Sequence, residues 1–166
     1  QLTILGIKGQ GIRHGVFDRK GRHLYVMTEM ACQVNVYEYE MESGRARLVQ
    51  TISAMPKTCR PPSLGAAIRL HPKGKWLYAS VRGSNHLAVF RIEEDGRLEQ
   101  IQIQDSLGEI PRDFILSPDG EYLLAGNQDT DTICVFGINQ ENGKLSPLYA
   151  EKEACCVTVL AAWRNQ

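Results

Sequence analysis

Apolar positions fall into short runs of period two, separated by polar turns, and one such arrangement recurs three times. Its clearest copy is Leu70 to Ile92, LHPKGKWLYASVRGSNHLAVFRI. A Pro-x-Gly turn leads into an aliphatic–aromatic strand (Trp76, Leu77, Tyr78, Ala79). After a polar reversal at Arg82 to Asn85, a strand follows through Leu87, Val89, Phe90 and Ile92. Alternation of this kind predicts half-buried strands. Val16–Tyr39 and Ile115–Ile138 repeat it.

Aligned on their turn glycines, the copies agree position by position. Gly21, Gly74 and Gly120 are 53 and 46 residues apart. Leu24, Leu77 and Leu123 follow at one offset, Val34, Leu87 and Ile133 at a second, and Val36, Val89 and Val135 at a third. Each copy then carries an aromatic (Tyr37, Phe90, Phe136) and a glycine before a basic–Leu segment. Repeats of about fifty residues built of strands and turns predict an all-β fold, a β-propeller of four-stranded antiparallel blades. The blades are expected over about 12–54, 64–103 and 111–149, with almost no helix. Leu2–Lys8 reads as the outermost strand of a preceding blade, and 155–162 as the inner strand of a following one. The Pro-rich segment Met55–Ser63, MPKTCRPPS, reads as a long connecting loop. Glu93–Gly96 and Gln140–Gly143 read as hairpin turns, Asn-Gly favouring the positive φ of a tight reversal. Three blades with a strand at either end do not close a ring. That predicts the C-terminal part of a longer propeller, or self-association through open edges.

Net charge is zero and apolar content 43%. No basic run and no apolar stretch of about 18 residues occurs, so neither nucleic acid nor a membrane is expected as a partner. The chain opens on Gln1 without a signal-like segment, which reads as a trimmed or partial chain. The five cysteines are odd in number and form no Cys-x-x-Cys pair, which argues for a reduced, cytoplasmic, metal-free protein without cofactors.

In a propeller the loop entering the first strand of each blade and the loop leaving the second share one face. Eight residues before the turn glycines stand Arg13, Ala66 and Arg112; eight after them stand Glu29, Arg82 and Gln128, with His14 beside Arg13. Three arginines converging on one mouth predict an anionic ligand, because guanidinium forks match carboxylate or phosphate. A purely structural account would pair Arg13 with Glu29 instead. Arg19, Lys20, Arg22, Lys73 and Lys75 fall at the opposite turns and read as solvated charges. Tyr25, Trp76, Tyr78 and Tyr122 read as packing between blades, and His23, His71 and His86 as turn or edge residues. Cys155 and Cys156 read as inert packing.

The segments Gly11-Ile12-Arg13-His14, Leu24–Glu29, His71–Tyr78 with Arg82-Gly83, Pro111–Phe114, Ser117–Gly120, Asn127-Gln128 and Val135-Phe136 resemble the lactonase family of seven-bladed propellers. That family includes bacterial 6-phosphogluconolactonases and fungal carboxymuconate-lactonizing enzymes. The resemblance covers nearly the whole chain and corresponds to the last three blades and the closing strand. It departs at Glu153–Val157, where the family carries a proline before Cys-Val. It implies a polar cluster of Arg13, His14, Glu29, Arg82 and Arg112, completed by residues of further blades.

The expected function is hydrolysis of a sugar lactone, 6-phosphogluconolactone to 6-phosphogluconate. Glu29, His14 and Arg82 would be catalytic, and Arg13, Arg112 and Gln128 would bind the small anionic substrate. Glu29 or His14 would serve as general base. Two other readings stay open: a carboxymuconate-type lactonizing cyclase, whose ligands are also small polyanions, and a non-catalytic propeller binding module.

Overall fold

A computed structural model describes residues 6–57, 62–151 and 158–160. Three four-stranded antiparallel sheets run as meanders in chain order. The first holds β1 (Ile12–Phe17), β2 (His23–Thr28), β3 (Gln33–Glu40) and β4 (Arg45–Ser53). The second holds β5 (Leu64–Leu70), β6 (Trp76–Arg82), β7 (His86–Ile92) and β8 (Leu98–Asp105). The third holds β9 (Pro111–Leu116), β10 (Tyr122–Asn127), β11 (Thr132–Ile138) and β12 (Leu145–Glu151). No helix occurs among the described residues. The first strands β1, β5 and β9 lie side by side along the inner rim. The predicted strand at Leu2–Lys8 falls partly on residues 1–5, outside the described residues; residues 6–8 are loop and turn. Of the predicted inner strand 155–162, residues 158–160 are described and are not strand, and Cys155 and Cys156 lie outside the described residues.

The sheets stack face to face as successive propeller blades. Tyr25, Met27, Val34 and Val36 of the first pack on Ile68, Leu77, Ala79 and Phe90 of the second. On its other face the second sheet sets Trp76, Tyr78, Leu87 and Val89 against Phe114, Leu123, Ala125 and Phe136 of the third. Both faces of the middle sheet are therefore covered, and every residue of β6 is buried. That explains why β6 reads as a near-continuous apolar run while exposed outer strands such as β4 and β12 alternate or turn polar.

Polar latches at repeated positions tie blade to blade. The Tyr25 hydroxyl donates to the Gly96 carbonyl at 3.0 Å, and the Tyr78 hydroxyl to the Gly143 carbonyl at 2.9 Å. Each acceptor lies in the β3–β4-type turn of the next blade. Further out, Gln50 grips the peptide of Leu98 through both amide atoms (2.9 and 2.8 Å), and Gln102 grips Leu145 in the same way (2.9 and 2.7 Å). The third blade departs from the repeat at both latches. Leu124 stands where Tyr25 and Tyr78 do, and Tyr149 pairs with Val135 where Gln50 and Gln102 pair with Val36 and Val89.

Two expectations need correction. His23, His71 and His86 stand at turns and strand ends as expected, but they are buried connectors rather than exposed edge residues. His71 Nε2–H donates to the Gly120 carbonyl at 2.9 Å while Nδ1 accepts from the Lys73 amide at 3.1 Å; His86 Nε2 lies 2.8 Å from the Ala54 carbonyl. A backbone carbonyl fixes the His71 and His86 rings and the Asp18 carboxylate, 3.1 Å from Nδ1, fixes His23, which a turn pattern in sequence does not reveal. Tyr122, expected between blades, is 41% exposed, because β10 turns that end toward solvent.

These latches set stability. Tyr78→Phe leaves the Gly143 carbonyl without its donor and is expected to cost about 1–3 kcal/mol, read by urea unfolding. Gly143→Ala, at φ +75° with the Trp76 ring where a Cβ would stand, should cost more than about 1 kcal/mol. Burial holds the His71 pKa below the ordinary 6.5, with Lys73 adding to the effect and the Gly120 carbonyl opposing it. The unfolded chain therefore binds a proton that the folded chain refuses, so stability should fall as pH drops from about 8 to about 5. His71→Gln should flatten that slope, His14 keeping the remainder; an unchanged slope would assign the acid loss to other groups.

Candidate active site on the inner rim

Each inner strand carries a β-bulge at its entry. In β1 the register passes from Ile12↔Thr28 to His14↔Met27, leaving Arg13 as the extra residue. In β9 it passes from Pro111↔Asn127 to Asp113↔Gly126, leaving Arg112. In β5 the shift lies between Gly65 and Ile68, at Ala66 and Ala67. A bulge re-aims a side chain and breaks local pairing, so Arg13 and Arg112 leave the strand's regular alternation. Both are half-buried, and neither guanidinium donates a hydrogen bond to a described residue.

The loops leaving the second strands add the other group. The Glu29 amide donates to the Gly11 carbonyl at 2.6 Å, and its carbonyl accepts from the Gly65 amide at 2.8 Å, pinning this residue between the first two blades. Only glycine fits at Gly65, because a Cβ there would collide with the Thr28 carbonyl and the Met27 methyl. Arg82, at the end of β6, is 8% exposed; its Nη2 pairs with Glu29 Oε1 and reaches the Gly65 carbonyl at 3.3 Å. Arg82 Nε is buried with no partner among the described residues. Glu29 is thus paired with Arg82 rather than with Arg13. Its second oxygen makes no hydrogen bond to a described residue, and its side chain is 37% exposed.

A second set lies one step further along the strands, and offset counting passed over two of its members. Arg69 of β5 donates to Asp113 Oδ1 at 2.9 Å and places Nη1 3.1 and 3.0 Å from the two ring nitrogens of His14. Its guanidinium carbon lies 5.9 Å from the centre of the Phe114 ring. Asp113 Oδ1 also accepts from the Phe114 amide at 2.9 Å, and Oδ2 from the Leu160 amide at 3.1 Å. Eight residues before each turn glycine stand the bulged residues, whereas Arg69 stands five before Gly74. The available signal was Asp113 directly beside Arg112 in the segment Pro111–Phe114. Gln128 does not join either set: its side chain donates to Asp129 Oδ1 at 3.3 Å and its amide to the Ile110 carbonyl.

Electrostatics confirm that the groups share one field. Arg13 has its pKa lowered, first by burial and then by Arg82 and Arg112, with Glu29 and Asp113 opposing. His14 has its pKa lowered by burial and by Arg69, with Asp113 opposing and Arg13 adding to the effect, so its ring is neutral at pH 7. Arg13, Arg69, Arg82 and Arg112 face the carboxylates of Glu29 and Asp113. Two of the four cations are ion-paired, and the two on the bulges are left in excess.

The chain is 34% identical over 141 residues to a 6-phosphogluconolactonase of Bacillus subtilis, an alignment covering 84% of this chain and 40% of that protein. It is 34% identical over 148 residues to a 6-phosphogluconolactonase of Pectobacterium atrosepticum, covering 89% and 45%. Among solved structures, the periplasmic gluconolactonase of Pseudomonas aeruginosa superposes with a TM-score of 0.87 at 29% identity, over 92% of this chain and 42% of that one. The chain thus spans less than half the length of these relatives. Residues 6–159 match the model of the lactonase family of seven-bladed β-propellers. With its repeated four-stranded blades and the arginines at their inner entries, the chain belongs to that family.

Proposed function

We propose that this inner rim serves the hydrolysis of a sugar lactone, with 6-phosphogluconolactone as the substrate and 6-phosphogluconate as the product. The observation that carries the reading is the excess of positive charge at Arg13 and Arg112, two half-buried guanidiniums with no hydrogen-bond partner among the described residues. Holding such groups near Arg82 is unfavourable without a ligand, and a phosphate or carboxylate relieves it. The names carried by the relatives from Bacillus subtilis and Pectobacterium atrosepticum support the phosphorylated lactone among small anions.

Water attacks the lactone carbonyl while the free oxygen of Glu29 takes its proton. Arg82 holds the carboxylate in place through the other oxygen. The tetrahedral oxyanion is stabilised by guanidinium donors; its collapse breaks the ring C–O bond, and the departing alkoxide takes up the proton. Fixed donors of this kind are worth about 3–4 kcal/mol each, and a positioned base about 100- to 10,000-fold in rate. A lactone is an activated ester, so no cofactor enters this scheme. A cytoplasmic location belongs to the same reading; the periplasmic relative makes cell fractionation its check.

The test is a lactonase assay of the complete gene product on freshly generated 6-phosphogluconolactone, with spontaneous hydrolysis subtracted. Arg13→Ala and Arg112→Ala should each lower kcat/KM by about 100-fold or more, and Glu29→Gln should lower kcat by at least about 100-fold. Arg82→Ala should resemble Glu29→Gln, since it frees the carboxylate. Folded wild type without turnover above background would overturn lactone hydrolysis. Turnover indifferent to all four variants would move the site elsewhere.

A further inference from the structure

The three inner strands are joined by one polar chain that the lactonase reading leaves unused. Asp113 on β9 receives Arg69 Nη2, and Arg69 on β5 in turn sets Nη1 against His14 on β1. The lone-pair directions of the two imidazole nitrogens diverge. An atom 3.1 and 3.0 Å from both therefore lies off each of them, so the contact is a cation against the ring rather than an in-line hydrogen bond. The Ile68 amide donates to His14 Nδ1 at 3.4 Å, which marks Nδ1 as the acceptor and leaves the proton of the neutral ring on Nε2.

We propose that Arg69, tethered by Asp113, is a positioning residue that fixes the His14 ring beside Arg13 and holds it as an uncharged Nε2–H donor rather than a further cation or a proton-accepting base. The inference rests on the reading of this rim as an anion-binding site. Arg69 gives up part of its charge to Asp113, the Phe114 ring lies against its guanidinium, and the Ile68 carbonyl accepts from Nη1 at 3.1 Å. It is therefore held from four sides and has little freedom to bind substrate itself. The charged groups facing His14 are Arg13 on its own strand, Arg69 on β5 and Asp113 on β9; the two arginines disfavour protonation, and the carboxylate favours it. A ring kept neutral lends the site a donor without adding to its charge. The positive charge offered to an anion is then that of Arg13 and Arg112.

Nuclear magnetic resonance of ¹⁵N-histidine-labelled complete gene product decides the matter without any assay of turnover. In the wild type the His14 ring should show the Nε2–H tautomer and titrate below 6.5. Arg69→Met should displace that titration upward, because a cation against the ring is lost. Asp113→Asn should displace it downward, because the opposing carboxylate is lost while Arg69 keeps its charge. If Arg69→Met does not fold, Arg69→Gln, which keeps a donor toward Asp113 and removes the charge, is expected to give the same upward displacement. A wild-type ring with Nδ1–H, or a His14 titration unmoved by loss of the Arg69 charge, would overturn the proposal. A purely structural Arg69 would lower Tm and leave the titration in place. In the assay, His14→Gln, which donates but takes up no proton, should retain more kcat than His14→Ala; equal losses would return His14 to the role of base. Absence of turnover in the wild type would sink the lactonase reading alone, since the ring titration reads out independently.

Discussion

A sheet of four short strands with apolar residues on both faces is unstable by itself, and stacking resolves this by letting each blade cover the next. The middle blade shows the condition fully met, with β6 buried from end to end. Apolar stacking is tolerant of sliding, however, and the inner rim needs a fixed register between blades. Directional latches supply it: Tyr25 on the Gly96 carbonyl, Tyr78 on the Gly143 carbonyl, and Gln50 and Gln102 on the peptides of Leu98 and Leu145. All lie toward the outside of the blades or at the turns remote from Glu29 and Arg82. They hold the inner strands in place without occupying the positions that gather charge.

Fixed stacking is what permits four guanidiniums to be held along the inner rim. Arg82 and Arg69 are each paired with a carboxylate from a different blade, Glu29 from the first and Asp113 from the third. Such cross-blade pairs, partly shielded from solvent, depend on geometry far more than exposed pairs do. Breaking the stacking would leave a half-buried cation without its partner. Arg13 and Arg112 have no such partner among the described residues, so their repulsion acts against stability, and the proposed anion would relieve it. On that reading, charges gathered for binding are held against folding.

The repeat in the sequence carried the architecture. Turn glycines, the alternating strands and the aromatic at each third strand specify four-stranded blades because each encodes a local constraint: a positive φ, a half-buried face, a large side chain between sheets. The site was legible in part. Counting from Gly21 and Gly120 reached Arg13 and Arg112, since a bulge at the same place in each blade preserves the offset. The count could not tell which cations are paired, and so offered Arg13 rather than Arg82 as the structural partner of Glu29. It passed over Arg69 and Asp113 because their contacts run between blades, at sequence separations no periodicity encodes. The burial of His71 and His86 escaped for the same reason: their partners are backbone carbonyls 49 and 32 residues away, invisible in side-chain patterns.

Comparison of the two repeated slots explains why charge remains. The slot after each second strand holds Glu29, Arg82 and Gln128, and its two charges cancel in one ion pair. The slot at each inner-strand entry holds Arg13, Ala66 and Arg112. Here the two charges have the same sign, and the middle position is a small, fully buried alanine that neither neutralises them nor fills the space of a longer side chain. A repeat selected only for stacking would favour small or apolar residues at all three entries. Arginine at two of them, each on a bulge and each without a described hydrogen-bond partner, is a departure from uniformity that stacking does not explain and that the proposed binding of an anion would.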